Sequence, residues 1–213
     1  MIAGWSLAPG MSAGRSERPG RKKPVTRFSS ASGIQRLTRR KRRCGGWTAR
    51  RAGTPEQAAA FAQFIVLTTP WNAAEAVIRS MGDLNGMVSS MRQIRSPWGL
   101  TGSLLKSATN ISAGKKVQGW AKGASVFKTL NTTGFGNMAN PIFRGVKSVM
   151  FVAGDDAANR SSVVELVAAL GFEVVDAGPL RNVRLLEAHC MLWIDLAFTC
   201  GLGRDFAFAV VRR

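Results

Sequence analysis

Two uninterrupted apolar runs constrain this chain more than anything else in it. Residues 64–68 (FIVLT) and 149–154 (VMFVAG) are too short for helices, and each runs into turn chemistry and then an amphipathic stretch. A strand without polar alternation is buried on both faces, which is how a strand of a parallel sheet reads. After the first run come Pro70 and Trp71, then NAAEAVIRSM, predicted as a helix capped by Asn72 with Ala73, Ala76, Val77 and Met81 at helical spacing. After the second, Asp155 or Asp156 is expected to cap a helix with Val163, Val167 and Leu170 on one face and Gly171 as its stop. Residues 126–130 and 173–178 read as further strands, and a last helix runs from about 182 to 199. Strands alternating with helices predict an α/β fold with a mainly parallel sheet.

The charge is unevenly placed. The 213 residues carry a formal +18, which in an even distribution would point to a polyanion partner. Residues 1–53 hold 14 of the 30 Lys and Arg against one acid, Glu17, which makes +13. Residues 88–109 add Arg92, Arg95 and Lys106 with no acid. The rest is nearly neutral. Cys44, Cys190 and Cys200 have neither disulfide pairing nor metal-ligand spacing, so a reduced, cytoplasmic compartment is the expectation. The first residues lack the order of a secretory signal, while a transit peptide stays open. Asp195 interrupts the most apolar C-terminal run, and no membrane span is expected. The last helix is apolar on most sides apart from Arg184, Glu187 and Asp195, which allows a homodimer.

Five short motifs stand in a telling order. TTPWNAAEAV (68–77), KTLNTTGFGNMANP (128–141), VAGDDA (152–157), DAGPLRNVRLLE (176–187) and LGRDFAF (202–208) are similar, in order and spacing, to the deazaflavin NADP reductase family. The resemblance covers roughly 49–87 and 110–213. It implies a Rossmann-like sheet with NADP(H) across the carboxyl ends of the strands, and hydride transfer to a deazaflavin or flavin-like co-substrate. Such a transfer needs two rings stacked in register and no protein acid or base, so no catalytic residue is assigned. No metal is expected either, because Asp155 and Asp156 at a helix start read as cap and dipole partners.

One family element is missing: no GxGxxG follows an N-terminal strand. Reading each codon's third base with the first two of the next changes this. Residues 5–13 (WSLAPGMSA) then permit V-I-G-S-G-N-V-G, a phosphate-binding turn at a strand end. Residues 24–35 permit G-H-E-V-F-F-G-V-R-D-P, with an arginine suited to the 2′-phosphate, and 88–109 permit L-I-D-A-T-N-P-L-A-M-G-P-D-G-L. The hypothesis is that frame-disrupting indels, real or from sequencing, produced these segments and their basic charge. Residues 1–53 are then expected to be a disordered, out-of-frame remnant of the dinucleotide-binding start. Residues 54–213 would be the oxidoreductase domain, with an irregular 88–109 insert and a C-terminal helix. With Leu7, Ala8, Pro9, Gly10 and Met11 where the glycine turn belongs, NADP affinity is expected to be poor or absent.

Ligands of open α/β sheets sit beyond strand carboxyl ends. Thr68, Pro70 and Trp71 are therefore candidate cofactor-binding residues, against the plainer reading of a strand-to-helix turn with an aromatic packed on it. Asn131, Thr132, Thr133 and Gly134 are candidates for the same reason, short polar groups and glycine letting the backbone approach a flat ring; the plainer reading is a strand-ending turn. The resemblance adds Asn137 and Met138 on the acceptor side. Pro179, Leu180, Arg181 and Asn182 are acceptor candidates too, because a helix N-terminus favours an anionic or carbonyl group. Their plain alternative is an Asn182 cap beside a solvated Arg181. His189 and Cys190 point apart on a helix and are expected to be packing residues. The rival class is a basic nucleic-acid-binding protein built on 39–43 (RRKRR), with incidental polyanion binding expected in either case. A third reading is an interaction protein that keeps the fold without catalysis.

Overall fold

The computed structural model describes residues 2–6, 27–31, 50–91 and 113–213. Positions 7–14 of the expected glycine turn, the basic run 39–43, Cys44, Arg92, Arg95 and Lys106 lie outside them. In chain order the sheet elements are β1 (Ile2–Ser6), β2 (Arg27–Ala31), β3 (Arg50–Gly53), β4 (Phe64–Leu67), β5 (Val88–Met91) and β6 (Ser125–Lys128). A small hairpin, β7 (Ile142–Phe143) and β8 (Val146–Lys147), precedes β9 (Val149–Gly154) and β10 (Glu173–Asp176). The helices are α1 (Pro55–Phe61), α2 (Trp71–Arg79), α3 (Ala113–Trp120), α4 (Ala157–Ala168) and α5 (Val183–Phe198).

Eight strands form one sheet in the order β10-β9-β6-β5-β4-β1-β2-β3. Among β4, β5, β6, β9 and β10 every neighbouring pair is parallel except β6–β9, so the expected Rossmann-like α/β architecture is present. Each strand of FIVL serves both faces. Ile65 and Leu67 pack with Ile78, Met81, Val117, Val183 and Leu186 under α2, α3 and α5. Phe64 packs with Phe127, Val152, Val163 and Val167 under α4. All four residues of β4 are buried, which accounts for the absence of polar alternation.

The local signals mostly act where the sequence places them. The Asp156 carboxylate accepts from the backbone N–H groups of Ala158 and Asn159 at 2.9 and 3.1 Å and caps α4. Hydrogen bonds from the Ser125 hydroxyl and from Asn159 hold its carboxyl down at about 2. Gly171, at φ 100°, closes the turn after α4. Other expectations need correcting. Asn72 does not cap α2: it lies inside the helix, and Pro70 holds the cap position without a side-chain bond. Of the predicted face, Met81 is buried and Val77 packs against the core, whereas Ala76 is exposed and the helix itself buries Ala74 and Ile78. Of the N-terminal segment, whose strands were expected to be missing or disordered, the described residues are the backbone of β1, β2 and β3, with β1 antiparallel to both β4 and β2. Of residues 88–109, expected to be irregular, 88–91 form the central strand β5 between β4 and β6, and 92–109 lie outside the described residues. Among the described residues no helix is long and apolar enough to cross a membrane.

Candidate functional site at the β4–β6 edge

Because β4, β5 and β6 are parallel, their last residues Leu67, Met91 and Lys128 stand side by side in register. The two candidate loops leave from this edge. After β4, Thr68 is half-buried, Thr69 buried and Pro70 exposed. Trp71 leans on Trp120 with ring centroids 5.3 Å apart, so its indole is engaged in packing between α2 and α3.

After β6 the chain enters a buried polar turn. Leu130 adopts φ 58°, a left-handed conformation that costs a branched residue of order 1 kcal/mol or more. Asn131, Thr132 and Thr133 are all buried. The Asn131 amide donates to the Leu186 carbonyl of α5 at 3.0 Å, and the Thr132 hydroxyl accepts from the Phe151 N–H at 3.3 Å. The Thr133 hydroxyl accepts from the Asn137 amide at 2.9 Å. Asn137 also donates to the carbonyls of Arg204 and Phe206, at 3.1 and 2.9 Å, and so ties the turn to the C-terminal segment. Gly134 lies under the Trp193 ring: a Cβ there would stand 2.5 Å from Cη2, so no larger residue fits without movement. The Thr129 hydroxyl and the Asn131 side-chain Oδ1 are buried with no hydrogen-bond partner among the described residues, which is uncommon for an interior polar group. Phe135 beyond the turn is 68% exposed, and Met138 is half-buried against the α4 side of the core.

The second group of candidates lies elsewhere. β9 runs against β6 with Phe127 opposite Gly154, and Ser125, the first residue of β6, bonds Asp156. The chain leaving β9 therefore runs on toward the start of β6, and Gly154 N–H donates to Gly178 O at 3.0 Å. Pro179, Leu180, Arg181 and Asn182 follow directly and sit at the opposite edge of the sheet from 68–71 and 131–134. Leu180 is buried with its N–H on the Asp155 carboxylate at 2.8 Å, and Asn182 donates to Ala177 O at 2.7 Å. Both aspartates are thus used by the backbone. Among the described residues no group of three or more His, Cys, Asp or Glu could hold a metal.

Sequence reasoning passed over one residue of this edge. Lys128 is fully buried on the face of β6 that looks to α5, and burial pulls its ammonium down from 10.5 to about 8 while Glu187 and Cys190 pull the other way. The Glu187 carboxylate accepts the Ala113 N–H at 3.1 Å, the first residue of α3. A lysine closing an otherwise apolar strand was the available signal. His189 and Cys190 do not form a pair. The His189 ring meets Phe151 and Phe208 at 5.4 and 4.6 Å, whereas Cys190 is buried and acts on Lys128.

No family model matches the sequence. Among solved structures, a protein of Arthrobacter sp. FB24 assigned as an F420-dependent NADP-reductase superposes with a TM-score of 0.67, at 26% identity over 76% of each chain. This chain resembles that reductase in sequence and fold. A hypothetical protein of Sinorhizobium meliloti shares the fold at a TM-score of 0.53 and 24% identity, over 62% of this chain and 63% of its own. β1 finishes at Ser6 beyond Phe64. The chain leaves it at the edge where β4 begins, opposite the candidate loops.

Proposed function

We propose that this chain is an NADP(H)-dependent oxidoreductase by descent, passing hydride between NADP(H) and a deazaflavin or flavin-like acceptor at the β4–β6 edge, with dinucleotide binding impaired in the form written here. The 26% identity to the reductase over 76% of the chain is the observation that carries the reading. The edge agrees with it chemically. Thr68, Pro70 and Trp71 from one loop and Asn131, Thr132, Thr133 and Gly134 from the other follow Leu67 and Lys128, which stand on either side of Met91 at the end of β5. Bound NADP(H) would supply the hydride. The residues of this chain would seat and orient the flat rings and keep water from them.

The direction of β1 supports the impairment. A phosphate-binding turn has to leave its strand at the edge where the nicotinamide sits, and β1 ends at the other one. NADPH titrations followed by fluorescence test both halves. The chain as written should bind weakly. A gene in which residues 5–35 and 88–109 are read in the shifted frame should bind NADPH tightly and prefer it to NADH. No binding by the repaired protein removes the oxidoreductase reading, and equal binding by both removes the impairment. Sequencing the gene decides the frame question directly.

A further inference from the structure

The side of α5 turned away from the core is apolar, and it carries two opposite charges in an arrangement that matches a second copy of the same helix. Val183, Leu186, Cys190, Trp193 and Ala197 form the buried side. On the other side Leu185 is 58% exposed and Leu192 50%, Ala188 is exposed between them, and Met191 is half-buried beside it. Arg184 and Asp195, both exposed, are the charges of this face. The outer surface of a helix that faces only water is ordinarily polar, and a contiguous apolar stripe there marks a contact.

The positions of the two charges say which contact. At about 100° per residue, Ala188 stands at the centre of the exposed face, with Leu185 and Leu192 on one flank and Arg184 and Asp195 on the other. Asp195 follows Arg184 by eleven positions, which is about 16 Å along the axis and only about 20° round it. A two-fold axis at the level between residues 189 and 190 pairs two such helices antiparallel and keeps each flank on its own side. It brings Arg184 of each copy level with Asp195 of the other. On the opposite flank it sets Leu185 of one copy beside Leu192 of the other, and it leaves the small Ala188 at the crossing, where the helices come closest. A parallel pairing would instead put like charges together. We infer that this face of α5 is the interface of a two-fold dimer of this chain, with Arg184 of each copy paired to Asp195 of the other. The inference does not depend on the ring-binding reading. The buried side of the same helix carries Leu186, which receives the Asn131 amide, and Trp193, which covers Gly134, so the second copy braces α5 over the 131–134 turn from behind.

Sedimentation equilibrium of the full chain at physiological salt tests the pairing. The wild type should be a dimer with a micromolar Kd. Arg184→Asp and Asp195→Arg each create two like-charge contacts by symmetry and should weaken the dimer at least tenfold. The double variant, with the charges exchanged, should return to within threefold of the wild type. Both positions are exposed, so the fold does not depend on them. Oxidative cross-linking gives a second reading in a Cys44→Ser, Cys200→Ser background. There Ala188→Cys should form a disulfide between copies, and Glu165→Cys, exposed on α4, should not. A wild type that sediments as a monomer overturns the proposal, whether another part of the chain or a different protein covers the face. A dimer that keeps its affinity in either single variant overturns it, because another surface or register then holds the copies together. A double variant no tighter than the singles, or cross-linking at 188 no faster than at 165, overturns it as well.

Discussion

Lys128 should make the stability of this protein rise with pH in a window where most proteins lose it. Its ammonium is desolvated in the fold, at about 8 against 10.5 when free. Between those values the unfolded chain binds the extra proton and the native one does not, so stability increases with pH across the window. Below about 8 both states are charged and the full penalty is present; above 10.5 both are neutral and it is gone. The difference of 10.5 and about 8 corresponds to about 3 kcal/mol. Urea denaturation followed by tryptophan fluorescence from pH 7 to 10.8 would measure it, since Trp71, Trp120 and Trp193 all sit in packed positions. The quantity to follow is the stability of the wild type minus that of Lys128→Met, in which the other lysines cancel. A Cys190→Ala background removes the nearby thiol from the comparison. The difference should rise by about 3 kcal/mol from pH 7 to 10.8. A difference that stays level to within about 0.5 kcal/mol would show that Lys128 is solvated in the native protein, and the reasoning would fail with it.

Gly134→Ala places a Cβ 2.5 Å from the Trp193 ring and should cost about 2 kcal/mol, read as a fall in the urea midpoint; an unchanged midpoint would show that the turn yields. Asn137→Ala removes donors to Thr133, Arg204 and Phe206 and should cost about 2 kcal/mol or more. It should also speed tryptic cleavage after Arg204, which a stable C-terminal segment would resist. Burial holds the His189 imidazole below its ordinary 6.5. The stability it contributes is therefore complete above 6.5 and lost as pH falls through the lowered value. His189→Phe should flatten that acid limb, and identical acid limbs would contradict it.

The fold was legible where a residue pattern has one physical meaning. Phe64 to Leu67 has to be buried on both faces, and it is. Asp155 or Asp156 before a helix has to cap it, and Asp156 does. The box of Thr54 and Gln57 was equally readable. The Thr54 hydroxyl accepts the Gln57 N–H at 3.2 Å, the Gln57 side chain accepts the Thr54 N–H at 3.0 Å, and Pro55 opens α1, yet this start went unread. β5 was hidden for a better reason. VSSM has little of the β-branched or aromatic character that marks a strand, and its place is set by β4 and β6 on either side. Strand direction was not legible at all. Alternation and apolar runs read the same in both senses, so nothing in VMFVAG tells that β9 opposes β6. That single reversal carried Pro179 to Asn182 away from Asn131 to Gly134 and divided the expected site. Lys128 was visible in KTLNT, but a lysine's burial depends on what α5 brings over it.

The direction of β1 also limits how a working ancestor or descendant could be reached. Side chains change one at a time, and a strand's sense does not. A glycine-rich turn grafted after Ser6 by point substitution would begin at the edge where β4 starts, however good its sequence. The intermediate variants would gain nothing for selection or for an engineer to act on. Under the proposed function, access to a dinucleotide-binding form would therefore run through one discrete event that re-lays the whole N-terminal segment, such as a frame change or replacement by recombination, and not through a gradual path.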